Sequence, residues 1–200
     1  MIEIELEQVK RARNASSERV PFEMLSPREQ EVLQYVADGL RIADMAELMH
    51  TNVKTVEATR YNIGNIGLLE RETHTPDRKG AGKSVLLALI QDGINYDYVS
   101  HNIDESEEIQ PLFPSEALVL EQVAQGKSHE QIAQIFGKSI KTVEIQMGNA
   151  LKSLNALNFY HAVARMTYLK KVGLWTVRMG SENNQRLARA RREKRELASV

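Results

Sequence analysis

Two stretches, HTNVKTVEATRYN from His50 to Asn62 and GKSIKTVEIQMGN from Gly137 to Asn149, share the tetrapeptide Lys-Thr-Val-Glu. Four residues can coincide by chance, so the neighbouring columns decide. At the offset that sets Lys54 on Lys141, Leu25 falls on Leu112, Pro27 on Pro114 and Glu29 on Glu116. Val32-Leu33 falls on Val119-Leu120, Val36-Ala37 on Val123-Ala124, Gly39 on Gly126, Ala46 on Ala133 and Asn62 on Asn149. Met45/Ile132, Leu48/Ile135 and Val53/Ile140 exchange one aliphatic for another. About a third of some forty ungapped columns are identical, which is an internal repeat.

Each copy reads as short helices. In LSPREQEVLQYVADG, Ser26 caps a helix, Pro27 suits its first position and Glu29 reaches back to the cap, a capping box. Val32, Leu33 and Val36 form its apolar face, and Gly39 ends it. Ile42, Met45, Ala46, Leu48 and Met49 mark a second helix, and the turn HTN leads to a third capped by Asn52. In the second copy Phe113 stands where Ser26 does, so its first helix loses the box. Ser128 with Gln131 supplies one for the second helix, and Ser139 caps the third. KSVLLALIQDG (Lys83–Gly93) and FYHAVARMTYLKKVG (Phe159–Gly173) supply a fourth helix each. The fold expected is all-α, two tandem four-helix units. Residues 1–20 form an N-terminal segment, 21–99 the first unit, 100–111 an acidic linker, 112–176 the second unit and 177–200 a basic tail. Trp175 and Tyr168 can cover a contact between the units or complete the second unit's own core.

Composition narrows the function classes. The 200 residues hold no cysteine, which excludes disulfides and thiolate metal sites. The start, MIEIELEQVKRAR, lacks the apolar run of a signal peptide, and a cytoplasmic protein is expected. Net charge is −1, yet the first hundred residues carry 12 basic and 16 acidic groups and the second hundred 14 and 11. The five histidines share no metal-ligand spacing, and no nucleophile, base and orienting group can be assembled. No metal, cofactor or catalytic role is expected. GAGKS (Gly80–Ser84) imitates the end of a phosphate-binding loop, but Asp77 stands where that motif needs glycine and no strand precedes it, so a flexible loop is the reading.

A short turn before a capped third helix is helix-turn-helix geometry. The pattern LSPREQEVLQYVADGL, IADMAELM and NVKTVE resembles the DNA-binding module of the LuxR/FixJ/NarL group of bacterial regulators, over Leu25–Gly93 with one insertion and over Leu112–Gly173. The resemblance implies a bacterial, phage or mobile-element transcription regulator, not an enzyme, with duplex DNA as its partner. Only about twenty residues precede the first unit, so the receiver or ligand-sensing domain usual in that group is not expected. The tandem implies a covalent pair of DNA-binding units; homodimerisation is compatible with it.

With Val56, Ile63, Val143 and Ala150 turned to the core, the third helices would present Lys54, Glu57, Ala58 and Tyr61, and Lys141, Glu144 and Ile145, to base edges, with Gly148 on the same face. Thr55, Arg60, Thr142 and Lys152 would contact phosphates, as would Arg189, Arg191 and Arg192 of the tail. Three departures from the group stand out. Glu57 and Glu144 occupy a commonly basic position, and Thr59 and Gln146 replace a histidine. Gly64 and Gly67 each cost a helix about 1 kcal/mol relative to alanine, which ranks the first unit the weaker DNA binder; Gly148 lies within the second unit's third helix. These features support an alternative, a degenerate module docking on RNA polymerase, a sigma factor or another regulator.

Arg186, Arg189, Arg191, Arg192, Lys194 and Arg195 face only Glu193 and Glu196 in the last stretch of the chain. Deleting Arg186–Val200 is expected to lower affinity equally for a preferred and a scrambled duplex. Measured across a salt series, the logarithmic slope should flatten by up to about 0.9 for each phosphate that the truncated chain no longer neutralises.

Overall fold

The computed structural model describes residue 22 and residues 25–69, 78–100, 103 and 109–178. Eight helices order these residues: α1 (Pro27–Ala37), α2 (Ile42–Leu48), α3 (Val53–Leu69), α4 (Arg78–Asn95), α5 (Pro114–Ala124), α6 (His129–Phe136), α7 (Ile140–Ser153) and α8 (Phe159–Lys171). Among the described residues there is no strand, only a parallel bridge between Leu112 and Val177. No helix among them is long and apolar enough to cross a membrane.

The caps follow the local chemistry. The Glu29 carboxylate accepts from the Ser26 N–H at 2.8 Å, and the Glu29 N–H donates to the Ser26 hydroxyl, completing the box. At α5 half of that device survives. Phe113 has no side-chain oxygen, yet the Glu116 carboxylate still accepts from its N–H at 2.9 Å. Ser128 and Gln131 reciprocate in the same way at α6.

Turns repeat as faithfully as helices. Gly39 (φ 80°) and Gly126 (φ 83°) both take the left-handed conformation that glycine adopts without steric cost. Behind them the Leu40 N–H donates to the Tyr35 carbonyl at 3.0 Å, and the Lys127 N–H donates to the Gln122 carbonyl at 3.2 Å. The same pair of columns therefore closes both helices.

Two sequence expectations change. The fourth helix of the first half begins at Arg78, not Lys83, so GAGKS forms its opening turns and is no loop. Helix α3 runs 17 residues, through Gly64 and Gly67 to Leu69, and exceeds the 14 of α7, which itself continues through Gly148. Tertiary packing outweighs the propensity cost: Ile63 is fully buried, and α4 lies along α3.

Helix α8 is the most enclosed element. Residues 160–167 are all buried, as is Leu169, and such all-round burial is the mark of a central helix. Its most extensive partner is α4, from the other half of the chain, and it also packs on α1 and α5. Leu86, Leu87, Leu89, Ile90 and Ile94 bring the apolar face of α4 to one continuous core spanning both halves. Tyr168 and Trp175 are partly buried against it.

Specific contacts fix the angle of this joint. A Cβ on Gly39 would meet the His161 side chain at 2.9 Å, and one on Gly126 would run into the side chain of Ser84. Each turn after the first helix of a half thus presses on the fourth helix of the other. The Asn158 amide donates to the Gly39 carbonyl at 3.0 Å, and the Gln91 amide to the Ala124 carbonyl at 2.9 Å. Lys83 of α4 sets its ammonium 4.3 Å from the centre of the Phe159 ring, and burial lowers its pKa. Both ends of the 100–111 stretch are tied down: the Ser100 N–H donates to Gln34 of α1, and the Gln110 N–H to the Ser153 carbonyl at the end of α7.

His161 sits in this joint as a neutral imidazole, its Nδ1 accepting from the Leu157 N–H at 3.2 Å, and burial lowers its pKa. A base whose pKa is lowered on folding binds fewer protons in the native state than in the unfolded one. Stability from His161 is therefore complete above the unfolded value of about 6.5 and is lost as pH falls below it. Urea unfolding between pH 8 and 5 is expected to show that decline, and His161→Gln to reduce its slope.

Candidate nucleic-acid interface

The turn between α2 and α3 is built from local hydrogen bonds. His50 adopts φ 48°, the Thr51 N–H donates to the Ala46 carbonyl at 2.9 Å, and Asn52 caps α3 by accepting from the Thr55 N–H at 2.9 Å. Between α6 and α7, Gly137 takes φ 59° and the Lys138 N–H donates to the Ala133 carbonyl at 2.9 Å. Ser139 accepts there from the Thr142 N–H at 3.1 Å. These are the same columns of the sequence repeat. One turn geometry serves twice, and it aims α3 and α7 alike relative to the helix before each.

Each of these helices divides into an inner and an outer face. Val56 and Ile63 of α3, and Val143, Met147 and Ala150 of α7, are buried. Lys54, Glu57, Ala58 and Tyr61 are exposed on α3, Tyr61 to 71%. Lys141, Glu144, Ile145 and Lys152 are exposed on α7, with Gly148 half-buried. The outer faces therefore hold the expected residues in solvent.

The threonines divide their tasks. Thr55 is exposed and its hydroxyl donates to Asn52, whereas Thr142 is half-buried with its hydroxyl 2.9 Å from that of Ser139. Lys141 pairs with Glu144 at 3.5 Å on the same face. A pair this exposed contributes little, about 0–1 kcal/mol, so the ammonium can exchange partners readily. Arg60 departs from the expected arrangement: its guanidinium lies 4.9 Å from the centre of the Tyr160 ring of α8, half-buried. Arg189, Arg191 and Arg192 lie outside the described residues.

The exchanged aliphatic columns do not all face the core, as an apolar helical period implies they should. Leu48 and Ile135 are 55% and 53% exposed, and Val53 and Ile140 are 42% and 43% exposed. Their matched exchange between copies is the signal that the sequence offers; it marks a solvent face flanking the turn. Among the described residues, no three histidine, aspartate or glutamate side chains cluster to hold a metal.

The family model "Bacterial regulatory proteins, luxR family" matches residues 23–65 and 110–166, half of the chain. The chain belongs to the LuxR family of bacterial regulatory proteins. Both matched segments of this LuxR-family chain carry the turn geometry described above. It is also similar to the transcriptional activator protein ExpR of Dickeya dadantii (strain 3937), with 32% identity over 77 residues. That match covers 37% of this chain and 31% of ExpR, so the chain spans about a third of its relative's length. No solved structure matches.

Ser139→Ala is expected to cost about 1 kcal/mol of stability in urea unfolding by leaving the first turn of α7 uncapped, and Asn52→Ala to cost a similar amount at α3.

Proposed function

We propose that this LuxR-family chain is a cytoplasmic transcription regulator that binds duplex DNA through two helix-turn-helix units, residues 21–99 and 112–176, joined by the 100–111 linker. The observation that carries the reading is the repeated division of α3 and α7, with Val56 and Ile63, and Val143 and Ala150, in the core and a Lys-x-x-Glu face in solvent. In this reading α3 and α7 enter major grooves, Glu57 and Glu144 accept from cytosine amino groups, and Ala58 and Ile145 pack on thymine methyls. Lys54, Lys141, Thr55, Lys152 and the tail from 177 to 200 lie along phosphates. Packing of α4 on α8 supports a covalent pair that holds both units at a set separation.

A second reading draws on the same face. Glu57 and Glu144 are negative where a phosphate-rich partner disfavours negative charge, which suits docking on RNA polymerase, a sigma factor or another regulator. Selection from random duplex DNA with the full chain, at low and at moderate salt, separates the two. Enrichment of a sequence supports DNA reading; no retained duplex even at low salt supports protein docking.

The second half is the stronger DNA binder in this proposal. Helix length does not carry that ranking, since α3 is the longer, but the attachment of the chain at Arg178, next to the basic run in sequence, supports it. The Arg178 N–H donates to the Leu112 carbonyl at 2.7 Å and its Nε to the Pro111 carbonyl at 2.8 Å, one residue from Gln110, which bonds the end of α7. Arg178, where the described residues end, is therefore linked through Gln110 to the C-terminal end of α7. Lys141→Ala is expected to weaken binding several-fold on any sequence, with a salt slope shallower by about one, and Lys54→Ala to weaken it less. The opposite order would move the principal contact to α3.

A further inference from the structure

The joint between the halves forms a cavity of about 240 Å³. Part of its lining is apolar: Val36 of α1, Leu40 of the following turn, and Ile42 and Met45 of α2. Asn158, with Phe159 and Tyr160 of α8, completes the lining beside the arginines. Two arginines reach it, and they differ in what already neutralises them. Arg41 is held by Asp44, with Nε and Nη2 each 2.8 Å from a carboxylate oxygen. Arg60 has no carboxylate partner among the described residues; its guanidinium is braced against the Tyr160 ring.

A half-buried guanidinium that, among the described residues, meets only a ring face still has its planar fork of N–H donors to satisfy. That fork matches a carboxylate in a two-point hydrogen bond, and the contact with the Tyr160 ring braces the side chain. The apolar residues that line the same cavity would cover a short aromatic or aliphatic body. The volume lies below the roughly 300–1,000 Å³ of sites for drug-sized ligands, so the occupant has on the order of ten non-hydrogen atoms.

From this arrangement we infer that the cavity is a binding site for a small apolar monocarboxylate, with Arg60 as the anion-binding residue. Its walls come from α1, α2 and α3 of one half and α8 of the other, so a bound ligand bridges the two halves and ties the outer face of α3 to the joint through Arg60.

Thermal unfolding of the full chain without DNA tests this independently of any DNA activity. The probes are benzoate, phenylacetate and hexanoate, each beside its neutral amide, at about 10 mM to cover weak affinity. At roughly ten times Kd a carboxylate should raise the unfolding temperature by about 3–5 °C, and its amide by much less. Arg60→Gln removes the anion contact and Leu40→Trp fills the cavity; each should abolish the shift measured against the same variant without ligand. Should Arg60→Gln fail to fold, Leu40→Trp decides alone. The assignment is overturned if no carboxylate shifts the transition, if amides shift it equally, or if the shift survives Leu40→Trp.

Discussion

The packing of the described residues depends on the burial of α8 against α4. A helix that hides residues 160–167 on every side cannot be enclosed by one half alone. Its partners on α1, α4 and α5 make it common property, and its departure would expose the apolar faces of both halves. The glycine turns, the Asn158 and Gln91 amides and the Lys83–Phe159 contact are refinements of that burial. They set the angle at which α4 and α8 meet, and so where the outer faces of α3 and α7 lie relative to each other.

The α8 environment also explains the odd chemistry at the joint. His161 is kept neutral because its ring is pressed on Gly39 and away from water. Arg165, buried one helical turn further on, donates from Nη1 to the Asn155 carbonyl at 3.0 Å, and burial lowers its pKa. Polar groups occupy a central helix where hydrogen bonding to nearby backbone offsets the loss of water.

Much of this is legible in the sequence because it is local. Caps at Ser26, Asn52, Ser128 and Ser139, helix ends at Gly39 and Gly126, and the inner stripes of α3 and α7 follow from residue type and spacing alone. What spacing does not show depends on distant partners. Gly64 and Gly67 are weak helix formers, yet α4 packs alongside and α3 persists. GAGKS reads as a loop when its glycines are considered without that same packing. Leu48, Ile135, Val53 and Ile140 fit an apolar period but stand at the helix-turn-helix corner, where the period and the solvent face coincide. Arg60 reads as a phosphate contact because Tyr160, a hundred residues away, is invisible to a periodic argument.

The divergence of the two outer faces has a consequence for symmetry. Two identical subunits related by a twofold axis present identical surfaces, and the DNA sites such a pair recognises are palindromic. Here Ala58 and Tyr61 occupy the columns of Ile145 and Gly148, so the two surfaces differ in both shape and hydrogen-bonding capacity. A chain that carries both in one polypeptide, with their separation set by its own core, is released from that requirement. If both faces read DNA as proposed above, their target is a directional sequence, read in one orientation.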